Sequence, residues 1–216
     1  MHTKPAALTA ILLGAALATT PAMASSDDGL RIETTTSVPY LVDPDGTTYA
    51  LSVHAPTDPG PWPTAVMIHG GGGAPAAAIL DPWAEAVAAE GAVVFVPRWA
   101  SHDLSPDVAE ASAALADFTT QLACVVRFAR SEAERFGGDP AEVALFGHSA
   151  GAHFASVIAL TDPAVSPDCL ADADSAIPEN LVLFEGDWLL MGHPVWDSLL
   201  AQDRSSVWAA QTPWPH

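Results

Sequence analysis

Positive charge is what this chain has least of. Seven Lys and Arg stand against 26 Asp and Glu, for a net charge of −19. A surface this acidic repels phosphate backbones and anionic lipid heads, and no basic patch interrupts it; nucleic acid is excluded as a partner. Cysteine is nearly absent as well. Cys124 and Cys169 are the only two, so they allow a single pairing, and without a nearby His pair they make a poor zinc site. No metal and no cofactor is expected. There is no low-complexity tail, since the 19 prolines and 15 glycines are spread along the chain, and disorder fails as a global description. Beyond the N-terminus no run is long and apolar enough to span a bilayer.

What is present is enough for one domain. The chain has 216 residues, half of them hydrophobic, and can build a real core. Residues 1–24 read as a signal peptide. Met1-His2-Thr3-Lys4 is a short basic start, Leu8 to Leu17 an apolar stretch too short for a membrane span, and Pro21-Ala22-Met23-Ala24 a small-residue cleavage site before Ser25. No cysteine follows the apolar stretch, so a lipid anchor is not indicated. The expected destination is secreted or periplasmic, with residues 25–216 forming the domain.

Taken in order, the chain opens with a strand pattern at Leu30–Thr36. Asp43-Pro44-Asp45-Gly46 is a turn, and Thr48–His54 its hairpin partner. Thr64–Ile68 is a short apolar strand suited to a sheet buried on both faces. Ala76–Gly91 has helical periodicity, with Asp81 as N-cap, Pro82 at the first helical position and Gly91 as the stop. Ala92–Val96 is a second buried strand. A long helical pattern fills much of Pro106–Phe136, with a break expected near Ala116. Glu142–Phe146 and Leu181–Glu185 are further strands, Ala150 to about Leu160 a helix, and Val195–Trp208 a last helical segment. The order, a hairpin followed by alternating β and α units, predicts an α/β fold: a mainly parallel sheet with helices on both faces and right-handed crossovers. Cys124 falls on the helix before the Glu142–Phe146 strand and Cys169 in the loop after the next helix. They could meet, as one disulfide in an oxidising compartment, or remain two buried thiols.

Chemistry concentrates in two places. Gly147-His148-Ser149-Ala150-Gly151 is G-x-S-x-G between a strand and a helix. The serine must sit in a strained turn, so its neighbours two positions away must be small, and the helix N-terminus points at the site. A serine hydroxyl is a weak nucleophile and needs donors for the oxyanion that forms. The N–H of Ala150 is one candidate. Gly71 and Gly72, with Gly70 close behind, are the others, in the run after Ile68 where bare amides can approach a substrate. Both motifs lie at strand carboxyl ends, where ligands of such sheets bind.

Together, His69-Gly70-Gly71-Gly72 and Gly147-His148-Ser149-Ala150-Gly151 resemble the esterase/lipase branch of the α/β-hydrolases. The likeness is nearest to the secreted carboxylesterase, feruloyl/acetyl-xylan-esterase-like and kynurenine-formamidase-like groups. Arg127-Phe128-Ala129-Arg130 and Phe136-Gly137-Gly138-Asp139-Pro140 add to it. The resemblance implies a serine carboxyl-ester hydrolase: Ser149 is acylated, Gly71, Gly72 and Ala150 hold the oxyanion, and His69 braces the oxyanion loop. Small-molecule or polysaccharide-linked esters are the expected substrates. The alternative is a protein of the same fold, catalytically impaired or non-catalytic, that binds a ligand or partner in that cleft.

The C-terminus departs from the family. An acid and then a histidine should follow the serine, each after a later strand, yet the sequence reaches His216 where the acid-bearing strand is due. Asp203–Pro215 reads as the lead-in to that strand, so the last strands and both triad partners are expected to be missing. That would leave a buried-type strand at the sheet edge and a poorly soluble chain. Local substitutes are Glu185 or Asp187 for the acid and His193 or His216 for the base. His148 and His153 read as packing or rim residues, and His102 with Asp103 as a solvated loop.

Overall fold

Strand β1 (Ile32–Val42) and strand β2 (Thr48–Pro56) form the antiparallel hairpin that the sequence predicts. Its turn closes as expected: Gly46 N–H donates to Asp43 O at 2.8 Å, and Thr47 N–H to the Asp45 carboxylate at 2.8 Å. β3 (Trp62–Ile68), β4 (Val93–Pro97), β5 (Gly138–His148) and β6 (Asn180–Phe184) run parallel to one another. Strand order is β1-β2-β4-β3-β5-β6, with β2 antiparallel to β4. The computed structural model describes residues 29–71, 74–99 and 108–186. The leader, Gly72, His102, Asp103, Asp187, His193, the segment 195–208 and His216 lie outside the described residues.

Helices cover both faces. α1 (Ala74–Ala89) packs Leu80, Ala84 and Ala88 on Met67, Val94 and Val96. The opposite face carries α2 (Val108–Glu132) and α3 (Ala150–Thr161), which bury Leu122, Val126, Phe154 and Ile158 with Val66, Phe95 and Leu145. Every residue of β4 is buried, and each such Val or Phe contributes roughly 1.5–3 kcal/mol. This two-sided burial explains why β3 and β4 read as unbroken apolar runs. Among the described residues no helix is long and apolar enough to cross a membrane.

Two helix expectations need correction. Asp81 does not cap α1, and Pro82 is not its first residue: the helix starts at Ala74 and carries Pro82 in its interior. The ring removes one helical hydrogen bond, but Pro82 and Ala78, whose carbonyl loses its partner, are both exposed, so water can replace the bond. Burial of Leu80, Ala84 and Ala88 offsets the cost. Asp81 instead lies 3.5 Å from Nε2 of the buried His54, whose Nδ1 meets Thr34 Oγ1 at 3.1 Å. Nor does α2 break near Ala116. It is continuous for 25 residues and passes into a 3-10 turn, Ala133–Phe136, that Gly137 ends.

The segment after α3 works as a belt. Asp162 Oδ1 accepts from Ala176 N–H, Ser131 Oγ accepts from Asp172 and Ala173, and Arg130 donates to Ile177 O. Cys169 is bonded to Cys124 of α2, so the two cysteines form a disulfide and no described cysteine is free. The belt also reaches the outer edge of β1. Leu41 and Cys169 form an antiparallel bridge, and Leu170 N–H donates to Tyr40 O at 2.9 Å. A register shift between Thr35 and Val38, with Ser37 at φ 58°, further blunts that edge. At the other edge of the sheet formed by the described residues, all five residues of β6 are exposed.

Candidate active site

Three elements converge on Ser149. β5 ends at His148 and α3 begins at Ala150, so the serine alone makes the bend. Its backbone is at φ 53°, ψ −120°, a positive φ that a non-glycine residue holds only when its surroundings impose it. The surroundings are visible. Ser149 N–H donates to Phe184 O at 2.9 Å, tying the bend to β6, and Ser149 O accepts from Ala152 N–H at 2.9 Å, tying it to α3. The Ser149 hydroxyl makes no capping bond to the helix, although serine is a favoured N-cap. It stands at the positive end of α3.

The glycines of the motif are required by contact. A Cβ on Gly147 would stand 2.6 Å from Ala152 Cα. One on Gly151 would stand 2.5 Å from His69 O and would also strike Ile68 O. Both clashes are with backbone, which cannot swing aside. The end of β3, the end of β5 and the first turn of α3 are therefore packed main chain on main chain.

The glycine run after β3 reaches the same place. A Cβ on Gly70 would lie 2.9 Å from Ser149 Cβ and 3.3 Å from His148 Nδ1. Gly70, which the sequence ranks behind Gly71 and Gly72, is thus the loop residue brought against the serine. Gly71 is exposed, with nothing within 4 Å of a Cβ built on it. Gly72 lies outside the described residues. Ala150 is the first residue of α3, where an amide has no intrahelical partner.

His69 holds this loop from below. It is fully buried, its ring stacks on Trp99 with centroids 5.2 Å apart, and its Nδ1–H donates to Gly70 O at 2.7 Å. Burial holds its pKa below the ordinary imidazole range, against the bond to Gly70 and with a further push from His148. A neutral, stacked imidazole tethered to the next residue's carbonyl is built as a brace. His153, one turn into α3, is also buried, and desolvation takes its pKa down to about 4.

Nothing in the sequence pairs His148 with Glu185. The parallel register sets His148 beside Phe184, the residue before Glu185, and His148 Nε2 lies 3.1 Å from Glu185 Oε2. The signal was two strand ends of equal height, legible only once β5 and β6 are known to be neighbours. Among the described residues no hydrogen bond links an imidazole to the Ser149 hydroxyl, and no group of three or more His, Cys, Asp or Glu could hold a metal ion.

The sequence model of the BD-FAE family matches residues 51–174, more than half of the chain. No curated protein matches at the sequence level. Solved structures do. Esterase 2 of Thermogutta terrifontis, phosphoramylated by tabun, is 20% identical with a TM-score of 0.58; the match covers 86% of this chain and 65% of that one. The propionate-bound form of the same esterase is 22% identical with a TM-score of 0.57, covering 86% and 66%. Esterase B of Lactobacillus Rhamnosis is 17% identical with a TM-score of 0.58, covering 84% and 60%. The chain therefore spans a little under two thirds of these neighbours' length. The fold is that of the α/β-hydrolases, as the sheet and the elbow anticipate.

Proposed function

The chain belongs to the BD-FAE family, and from that premise we propose that it is a serine carboxyl-ester hydrolase working through an acyl-enzyme on Ser149. One observation carries the proposal: a non-glycine serine held at φ 53° between β5 and α3, its hydroxyl unused by the helix, with Gly70 packed against it. Ser149 Oγ attacks the ester carbonyl carbon as its proton passes to a base. The carbonyl oxygen becomes an oxyanion held by backbone N–H groups of Gly71, Gly72 and Ala150. Collapse releases the alcohol, and water then frees the acid. The helix dipole of α3 and the preset amides stabilise the developing charge without reorganising.

Structural neighbours support this chemistry by analogy. Thermogutta esterase 2 is phosphonylated by sarin and phosphorylated by paraoxon. We assign to this chain the substrate class of small-molecule or polysaccharide-linked esters. Export belongs to the same proposal, with residues 1–24 as leader and 25–216 as the exported domain. The Cys124–Cys169 disulfide suits an oxidising compartment.

A second reading of the same cleft is ligand binding without turnover. One experiment separates the two. A fluorophosphonate probe should label the protein at Ser149, and Ser149→Ala should abolish the label. Label surviving that substitution removes Ser149 from its role. No label on the wild-type protein, with ester binding retained, establishes the second reading.

A further inference from the structure

The Gly71 amide, an oxyanion donor in the reaction above, is tied to the core beneath the loop. His69 Nδ1 meets Gly70 O at 2.7 Å. A carbonyl oxygen only accepts, so this nitrogen carries the proton. The Gly70 carbonyl and the Gly71 N–H belong to one planar peptide unit. That unit is trans, since the only cis bond among the described residues is Gly60–Pro61. The two groups of a trans unit point in opposite directions. Holding the Gly70 oxygen on the buried imidazole therefore turns the Gly71 N–H away from it, towards the exposed side of the loop. The flanking glycines would otherwise let the unit rotate.

The imidazole can hold that carbonyl only while its own plane is fixed, and Trp99 fixes it. β4 ends at Pro97, but Arg98 N–H still donates to Ala50 O at 3.1 Å, so the chain stays pinned to β2 as it leaves the sheet. Trp99 comes next, 2% exposed, on the face that carries α2 and α3. Its ring lies within 18° of the His69 plane, with centroids 5.2 Å apart. It also meets Phe118 of α2 at 61° and Phe154 of α3 at 79°, each with centroids 5.3 Å away. Two helices thus hold the indole in place, and its stacked face goes to His69. A tryptophan that only filled core volume would need no shared plane with a histidine. Phe154 belongs to the helix that follows Ser149, so one side chain touches both the loop's brace and the helix behind the nucleophile. Burial keeps the His69 pKa below the ordinary imidazole range, and the neutral ring has a single N–H to give.

Resting on the ester-hydrolase reading of Ser149, we infer that Trp99 is a positioning residue for the reaction: stacked on His69, it sets, through the Gly70 carbonyl, the direction in which the Gly71 N–H meets the oxyanion. Preset donors are effective because they need not turn when charge appears. A Gly70–Gly71 peptide free to rotate would present its carbonyl oxygen to the oxyanion as readily as its amide, and that oxygen repels it. Trp99 is buried and acts through two intermediaries, the His69 ring and the peptide it holds.

The test reads reactivity and loop geometry separately. Trp99→Met fills volume without an aromatic face. Its fluorophosphonate labelling should slow about tenfold, less than the roughly 100-fold that loss of a whole donor costs. Trp99→Phe keeps a smaller face and should slow only about threefold. Phe118→Leu removes another contact of the same indole and leaves the stack; it should melt lower yet label within about twofold of wild type. By NMR of protein labelled at histidine nitrogen, the His69 Nδ1 proton, buried and bonded, should exchange slowly in wild type and Phe118→Leu and faster in Trp99→Met. Melting temperatures confirm that each variant folds; where Trp99→Met does not, Trp99→Phe and Phe118→Leu carry the same comparison. Wild-type labelling by Trp99→Met, labelling losses that track melting temperature equally in the Trp99 and Phe118 variants, or an unaltered His69 proton overturns the inference. Wild-type protein that does not label loses the esterase reading, and the His69 proton then still decides whether Trp99 holds the loop.

Discussion

Replacing Gly151 by alanine tests the central packing claim. The added Cβ would stand 2.5 Å from His69 O and closer still to Ile68 O. An unstrained carbon–oxygen contact is about 3.3 Å, so the first turn of α3 must retreat from the end of β3 by roughly 0.8 Å. Overpacking of this kind costs about 1–3 kcal/mol. Alanine's helix propensity returns at most about 1 kcal/mol, and less in a first turn. The net loss of about 1–2 kcal/mol should lower the melting temperature by roughly 2–8 °C in a domain of this size. The same shift moves Ser149 relative to Gly70, and an ångström of misplacement can cost about 100-fold in rate. Scanning calorimetry reads the first effect. The second appears in the rate of fluorophosphonate labelling, followed by intact mass. Gly71→Ala is the control for the stability effect alone: its Cβ enters open space, and stability should change by under about 0.5 kcal/mol. If Gly151→Ala melts and labels like wild type, main-chain contact does not define the elbow, and the reasoning fails.

Reducing the Cys124–Cys169 bond, or substituting Cys169→Ser, frees a loop spanning 45 residues; chain entropy puts the loss near 4 kcal/mol, and a melting temperature unchanged by reductant would contradict it. His153 titrates near pH 4 in the fold because it is buried, so the unfolded chain takes up its proton first as pH falls. Its contribution is complete above about pH 6.5 and drains away towards pH 4, some 2 kcal/mol between pH 7 and 5. Urea midpoints at those two pH values should differ less for His153→Gln than for wild type, and equal differences would refute the assignment. Glu179 accepts the Val143 N–H at 2.8 Å and both its oxygens meet Arg130 at 3.1 Å. Because the ion pair is partly solvated, Glu179→Ala should cost about 1–2 kcal/mol, mainly through the orphaned amide, as denaturant melts would show.

Ser149 and its glycines were legible because a steric rule ties residue size to a local bend, and local rules survive in a string of letters. The hairpin and the buried strands were legible for the same reason. Pro82 misled because propensity assigns it to a helix start, whereas the apolar stripe of Leu80, Ala84 and Ala88 holds the helix through it. The supposed break near Ala116 failed likewise, since packing of α2 on the sheet outweighs local weakness. His148 with Glu185, and His69 with Trp99, could not be read in advance. Each pair depends on which strand lies beside which, information that no window of sequence contains. Gly70 was ranked behind its neighbours because spacing cannot say which residue of a glycine run packs against the serine.

The belt over β1 bears on what this molecule can assemble into. A sheet with two free margins is a lengthening template, because each added copy presents a new margin to the next. Here the belt and the kink at Ser37 blunt one margin. Among the described residues that leaves β6 as the open one. Two copies meeting there would exhaust the available edge in a closed pair, with nothing left to propagate. For the described sheet, then, edge pairing through β6 would end in a pair rather than a growing stack, and the disulfide that pins the belt over β1 contributes to that limit.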